Sequence, residues 1–197
     1  MTRRTCLLVM SLLIAAVAGC AGTPQPNLYT LTTVVPLTAA PAPQRPIARI
    51  TIAALSLPEL ADRPQLVVPD GANRVLLLES QRWAEPLKYA VPRTLAANLA
   101  RLLPAAQVSF QPHYASTEAD YRIFIDITSF EYRDATVLVE ANWNIKASSA
   151  ARTPITGRSR QTVPVAGDGY EPLVAAYSTA LAGLATTIAH SLPPLSP

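Results

Sequence analysis

Two neighbouring stretches, Tyr121 to Tyr132 (YRIFIDITSFEY) and Thr136 to Ser148 (TVLVEANWNIKAS), alternate apolar and polar side chains almost without a break. In the first, Tyr121, Ile123, Ile125 and Ile127 face one way and Arg122, Asp126 and Thr128 the other. In the second, Val137, Val139, Ala141, Trp143, Ile145 and Ala147 oppose Glu140, Asn142, Asn144 and Lys146. A period of two is the signature of a half-buried strand, because successive side chains leave a pleated chain on opposite faces. Arg133-Asp134-Ala135 between the stretches suits a reversal, so the pattern predicts a long antiparallel hairpin with one wet face. Ile155 to Val165 is expected to pair as a third strand.

Other segments extend this picture. Leu28 to Val35 (LYTLTTVV) and Ile47 to Leu55 (IARITIAAL) are rich in β-branched residues and read as strands. Between them, the proline-rich Pro36 to Pro46 cannot join a sheet ladder. Gln65 to Val68 and Arg74 to Leu78 form a short hairpin about an Asp70-Gly71 turn, with Arg63 held extended by Pro64.

Two helices are expected. Glu85 to Leu103 places Leu87, Val91, Leu95, Leu99 and Leu102 on one face. Pro86 fits its first turn, whereas Pro92 either kinks it or marks where its regular part begins. Glu171 to Ser191 carries Leu173, Tyr177, Leu181, Leu184 and Ile188 on one side and ends before Pro193-Pro194. The fold class is α+β: one domain of mainly antiparallel sheet with two helices packed against it.

The N-terminus reads as an address. Arg3 and Arg4 precede an apolar run to Ala18 that is too short to span a bilayer, then Gly19 and Cys20, the layout of a secretory signal. Val17-Ala18-Gly19-Cys20 resembles the lipobox of bacterial lipoproteins, which implies that residues 1–19 are removed and Cys20 becomes a lipid-modified N-terminus carrying acyl chains such as palmitate. Cys6 leaves with the signal, so the mature chain has no partner for Cys20 and no internal disulfide. Residues 20–27 form a tether that reaches at most about 25 Å, and residues 28–197 form the domain. Two of the 16 basic residues also leave, so 14 remain against 13 acidic ones. That near balance, without a basic cluster, argues against nucleic acid as a partner.

Catalytic patterns are missing. There is no H-E-x-x-H and no G-x-S-x-G, and the two histidines, His113 and His190, read as loop and helix-end residues. Gly167-Asp168-Gly169 reads as a turn into the last helix, and Asp62, Glu85, Asp120 and Asp126 are scattered over different elements. Neither enzyme activity, nor a metal site, nor a cofactor beyond the covalent lipid on Cys20 is expected.

Tyr29-Thr30-Leu31, LADRPQLV (Leu60 to Val67), RWAEPL (Arg82 to Leu87) and LAANLARLLP (Leu95 to Pro104) occur in this order. Together they resemble the PqiC-type ABC transport auxiliary lipoproteins over nearly the whole mature chain. The resemblance implies a periplasmic lipoprotein attached to the outer membrane. It would be a non-catalytic subunit that docks an MCE-domain protein of the PqiB type, assembles as a homo-oligomer, and supports lipid transport and membrane integrity. A different MCE system, Mla-like or of the toluene-tolerance type, and a structural lipoprotein without a transport partner are the alternatives. Ala21, where aspartate would signal inner-membrane retention, favours the outer membrane. Arg63, Gln65, Trp83 and Glu85 are the expected partner or assembly contacts, since an edge strand can recruit a second chain and tryptophan and arginine dominate interface hot spots. Trp83 as a cap on the core is the other reading of that residue.

Overall fold

The computed structural model describes residues 25–37, 48–110 and 119–193. Cys20, His113 and most of the proline-rich linker lie outside them. Among the described residues, eight strands and two helices follow in the order β1 (Asn27–Tyr29), β2 (Ala48–Ser56), β3 (Gln65–Pro69), β4 (Val75–Trp83), α1 (Leu87–Leu102), β5 (Ala106–Phe110), β6 (Tyr121–Arg133), β7 (Thr136–Ala147), β8 (Ile155–Pro164) and α2 (Tyr170–Ser191). The α+β class and the two helices are as expected. The strands form two mixed sheets instead of one: a five-stranded sheet, β5-β2-β6-β7-β8, and a three-stranded sheet, β1-β4-β3.

The long hairpin is the spine of the larger sheet. β6 and β7 pair antiparallel from Tyr121↔Ala147 to Arg133↔Thr136, and β8 pairs with β7 as the third strand. Every odd residue from Tyr121 to Ile127 is buried, as are Val137, Val139, Ala141, Trp143 and Ile145. A register shift between Ile127 and Ser129 then moves the inward face to Phe130, as expected where one extra residue breaks the alternation. β2 lies on the other side of β6 and pairs parallel with both β6 and β5. β5 follows α1 after a short turn and has no counterpart in the sequence reading. Its five residues, AQVSF, give too short an alternation to stand out.

Both helices cover this sheet. In α1, Leu87, Val91, Leu95 and Leu99 are buried, each contributing about 1.5–3 kcal/mol of transfer free energy. The helix runs unbroken through Pro92, so its regular part begins before that residue. Pro86 sits one position ahead of the first turn and accepts from the amides of Tyr89 and Ala90. Asp62, from the loop before β3, accepts from the Lys88 amide and supplies negative charge at the helix start. By length and composition α2 could cross a membrane. Here Leu173, Tyr177, Leu181, Leu184 and Ile188 are core residues instead, and Gly169 at positive φ opens the helix as the Gly-Asp-Gly turn suggested.

The expected strand Leu28 to Val35 is a correction. Only Asn27–Tyr29 pairs, parallel to the end of β4. Leu31 is buried, and the chain then runs past the two helices, whose side chains satisfy its backbone. The Thr32 amide donates to Ser178 Oγ at 3.1 Å and the Val35 amide to Asn98 Oδ1 at 3.2 Å. Arg101 Nη1 donates to the Val35 carbonyl at 2.6 Å. These bonds explain why Asn98 and Ser178 are fully buried on otherwise apolar helix faces, since a buried polar group needs a partner.

Candidate partner-docking site

β3 is an edge strand, bounded on one side by β4 and open on the other. It starts where Pro64 ends the preceding loop, and the Pro64 carbonyl accepts from the Trp83 amide at 2.8 Å. That bond brings Arg63 beside the RWAEPL segment. A shallow groove of about 210 Å³ forms there, with Arg63, Trp83, Glu85 and Lys88 among its lining residues. Three of the four expected contact residues therefore meet at one place.

Their environments differ. Trp83 is 92% buried, being 8% exposed, and its ring packs edge-on against Tyr177 at 6.0 Å, while Phe130 stacks on the other ring at 4.3 Å. It is thus a core residue whose remaining surface floors the groove. Arg63 is exposed. Glu85 is held by Arg93 at 2.6 Å, which fixes its carboxylate at the rim. Gln65 does not line this groove. Its amide nitrogen donates to both oxygens of Glu79, at 3.2 and 3.1 Å, and Arg82 donates to the same carboxylate at 2.7 Å. Those hydrogen bonds, Gln65 first and Arg82 second, hold the Glu79 carboxyl below its ordinary range. Glu79 and Lys88 were absent from the sequence reading, because nothing in a one-dimensional pattern tells an exposed charge on a strand from one that organises its neighbours.

Of the four carboxylates spread over the sequence, Asp62 and Glu85 line this same groove, whereas Asp120 and Asp126 lie at the large sheet. Asp62 caps α1, Glu85 pairs with Arg93, Asp120 accepts from the Arg49 amide at 2.7 Å, and Asp126 accepts from the Ser56 hydroxyl at 2.5 Å. Each has its own structural partner, an amide or hydroxyl for Asp62, Asp120 and Asp126 and a guanidinium for Glu85. Burial, with the charge of Glu131 nearby, pushes the Tyr177 hydroxyl well above the ordinary phenol range, so this side chain stays neutral in the core. Among the described residues, no group of three His, Cys, Asp or Glu side chains is placed to hold a metal. Arg158 and Arg160 both reach Glu140 across the wet face of the large sheet, consistent with a solvated strand.

Solved structures share this fold, two of them over most of the chain. One, a crystal structure of an uncharacterized protein, aligns with a TM-score of 0.66 at 20% identity, covering 84% of this chain and 97% of that one. The other, protein XCC0632 from Xanthomonas campestris, gives 0.62 at 18% identity, covering 83% and 92%. No curated protein matches the chain. The family model for the ABC-type transport auxiliary lipoprotein component matches residues 29–189, from the paired Tyr29 of β1 nearly to the end of α2, and the chain belongs to that family.

Proposed function

We propose that this chain is a lipoprotein subunit of an MCE-protein lipid-transport system of the PqiABC kind, anchored through Cys20 to the periplasmic face of the outer membrane. Its role is docking, not bond chemistry. The observation that carries the reading is the family match over 29–189. The geometry adds a place for the work. The groove at Arg63, Trp83, Glu85 and Lys88 combines an apolar floor with a charged rim beside an open strand edge, and such a surface suits either the PqiB-type partner or a second copy in a homo-oligomer. The tether from Cys20 to Asn27 reaches at most about 25 Å, which keeps the body close to the bilayer.

The test is gentle extraction of the outer membrane followed by mass spectrometry of proteins that co-purify with the tagged chain. Recovery of an MCE-domain protein that falls in Cys20→Ala cells is the expected result. Arg63→Glu and Lys88→Glu should reduce that recovery without altering thermal stability. Trp83→Ala is expected to cost about 3–5 kcal/mol of folding free energy, so it reports on the core and is not used to judge docking. A folded, correctly localised chain that brings down no such protein would replace this reading with that of a structural lipoprotein.

A further inference from the structure

The β3–β4 hairpin is apolar beyond what its core contacts need. Between Leu66 and Leu78 the only charges are Asp70 and Arg74, and these pair with each other at 2.9 Å across the turn. Leu66 is buried, but Val75 is 47% exposed and Leu76 51% exposed. Leu60, 47% exposed, lies in the same shallow cavity as Val67, Pro69 and Val75. Leu60 and Val75 thus meet on one face of the hairpin end, and Leu76, the next residue of β4, leaves the opposite face, so both faces of this end expose large apolar side chains. Scattered apolar residues on a surface need no explanation, but a cluster does.

The direction of β1 and the number of residues between it and Cys20 point to what covers it. β1 runs parallel to β4, with Asn27 opposite Gln81. The chain ahead of Asn27 therefore leaves the sheet toward the start of β4, which is the hairpin end. From Gln81 back to Val75 is about 20 Å along the strand, at about 3.3 Å per residue. Cys20 stands seven residues before Asn27, a reach of about 25 Å at most. The lipid attachment point and the exposed hairpin end can thus sit at the same level.

We propose that the hairpin end, through Val75, Leu76 and Leu60, enters the lipid surface as a second membrane contact beside the acylated Cys20. This rests on the proposed lipidation of that cysteine. The lipid chains hold the protein on the membrane, and the hairpin fixes its tilt. Asp70 and Arg74 neutralise each other, and the cavity beneath Leu60 and Val75 is bordered by one charge of each sign, Glu131 and Arg133, so the contact carries no net charge and should depend little on salt.

Leu76→Cys, carrying a nitroxide label, tests the proposal in the lipidated full-length protein reconstituted into vesicles of phosphatidylethanolamine and phosphatidylglycerol, with labelled Arg158→Cys on the wet sheet face as reference. Intact mass separately reports whether Cys20 is acylated. The expected result is a ratio of oxygen to nickel-chelate collisions several-fold higher at position 76 than at 158, little changed by salt. An acylated protein whose label at 76 is as accessible to the nickel chelate as the one at 158 overturns the hairpin contact and leaves the anchor standing. A label shielded from both reagents, together with cross-linking of the unlabelled Leu76→Cys protein to a second copy through that thiol, overturns it in favour of a protein interface. A protein without lipid on Cys20 removes the anchor reading and the hairpin contact together.

Discussion

The indole of Trp143 lies against the bare α-carbon of Gly157, its register partner on β8, in the space that any side chain on that residue would occupy. Trp143 is buried on the helix-facing side of the sheet, and its bulk is accommodated because the neighbouring strand offers no Cβ. Gly157→Ala should therefore force the indole from its place and cost about 1–3 kcal/mol as overpacking. Urea denaturation checks this. An alanine variant as stable as the parent would mean that the indole has room elsewhere.

At the turn between β6 and β7, Asp134 and Ala135 both have positive φ, 50° and 54°. This is the backbone of a two-residue turn whose twist matches the flanking strands, and glycine is favoured at its second position. Alanine there carries the strain of a left-handed conformation, on the order of 1 kcal/mol. Ala135→Gly is expected to raise the denaturation midpoint, with a gain below about 1 kcal/mol because glycine also loosens the unfolded chain.

Asn98 ties the segment after β1 to α1. Its Oδ1 accepts from the Val35 amide while its Nδ2 donates to the Thr94 carbonyl at 3.0 Å. Asn98→Ala should cost about 1–3 kcal/mol through the unsatisfied groups it leaves. Hydrogen exchange at the Val35 amide should accelerate beyond what the global loss explains. Unchanged relative protection at Val35 would show that the bond does not hold the segment.

Glu79 predicts a pH effect with a definite sign. Its folded-state pKa is depressed by the amide of Gln65 and the guanidinium of Arg82. The stability it contributes is present above the unfolded carboxylate pKa and is lost as pH falls through the lower folded value. Melting temperature followed from neutral into acid should fall less steeply in Glu79→Gln than in the parent. The difference should be small, because the group is exposed.

The local pattern determined the elements whose information is local. The alternation from Tyr121 to Ile127 and from Val137 to Ile145 wrote the long hairpin into the chain, and the spacing of Leu87, Val91, Leu95 and Leu99 did the same for α1. The signal-like N-terminus and the motifs around Arg63 and Trp83 pointed to the family. Tertiary structure decided what depended on distant partners. Leu31 to Val35 is β-rich in composition, yet Asn98, Arg101 and Ser178 offer its backbone hydrogen bonds that a strand neighbour would otherwise supply, so it follows the helices. β5 exists because β2 offers it a parallel edge, and the division into two sheets follows from β1 choosing β4. The same holds for the docking groove. Trp83 was legible as a residue of consequence, but only the bond from its amide to the Pro64 carbonyl brings Arg63 beside it. Strand pairing and side-chain capping join residues tens of positions apart, and no window along the chain contains both ends of such a bond.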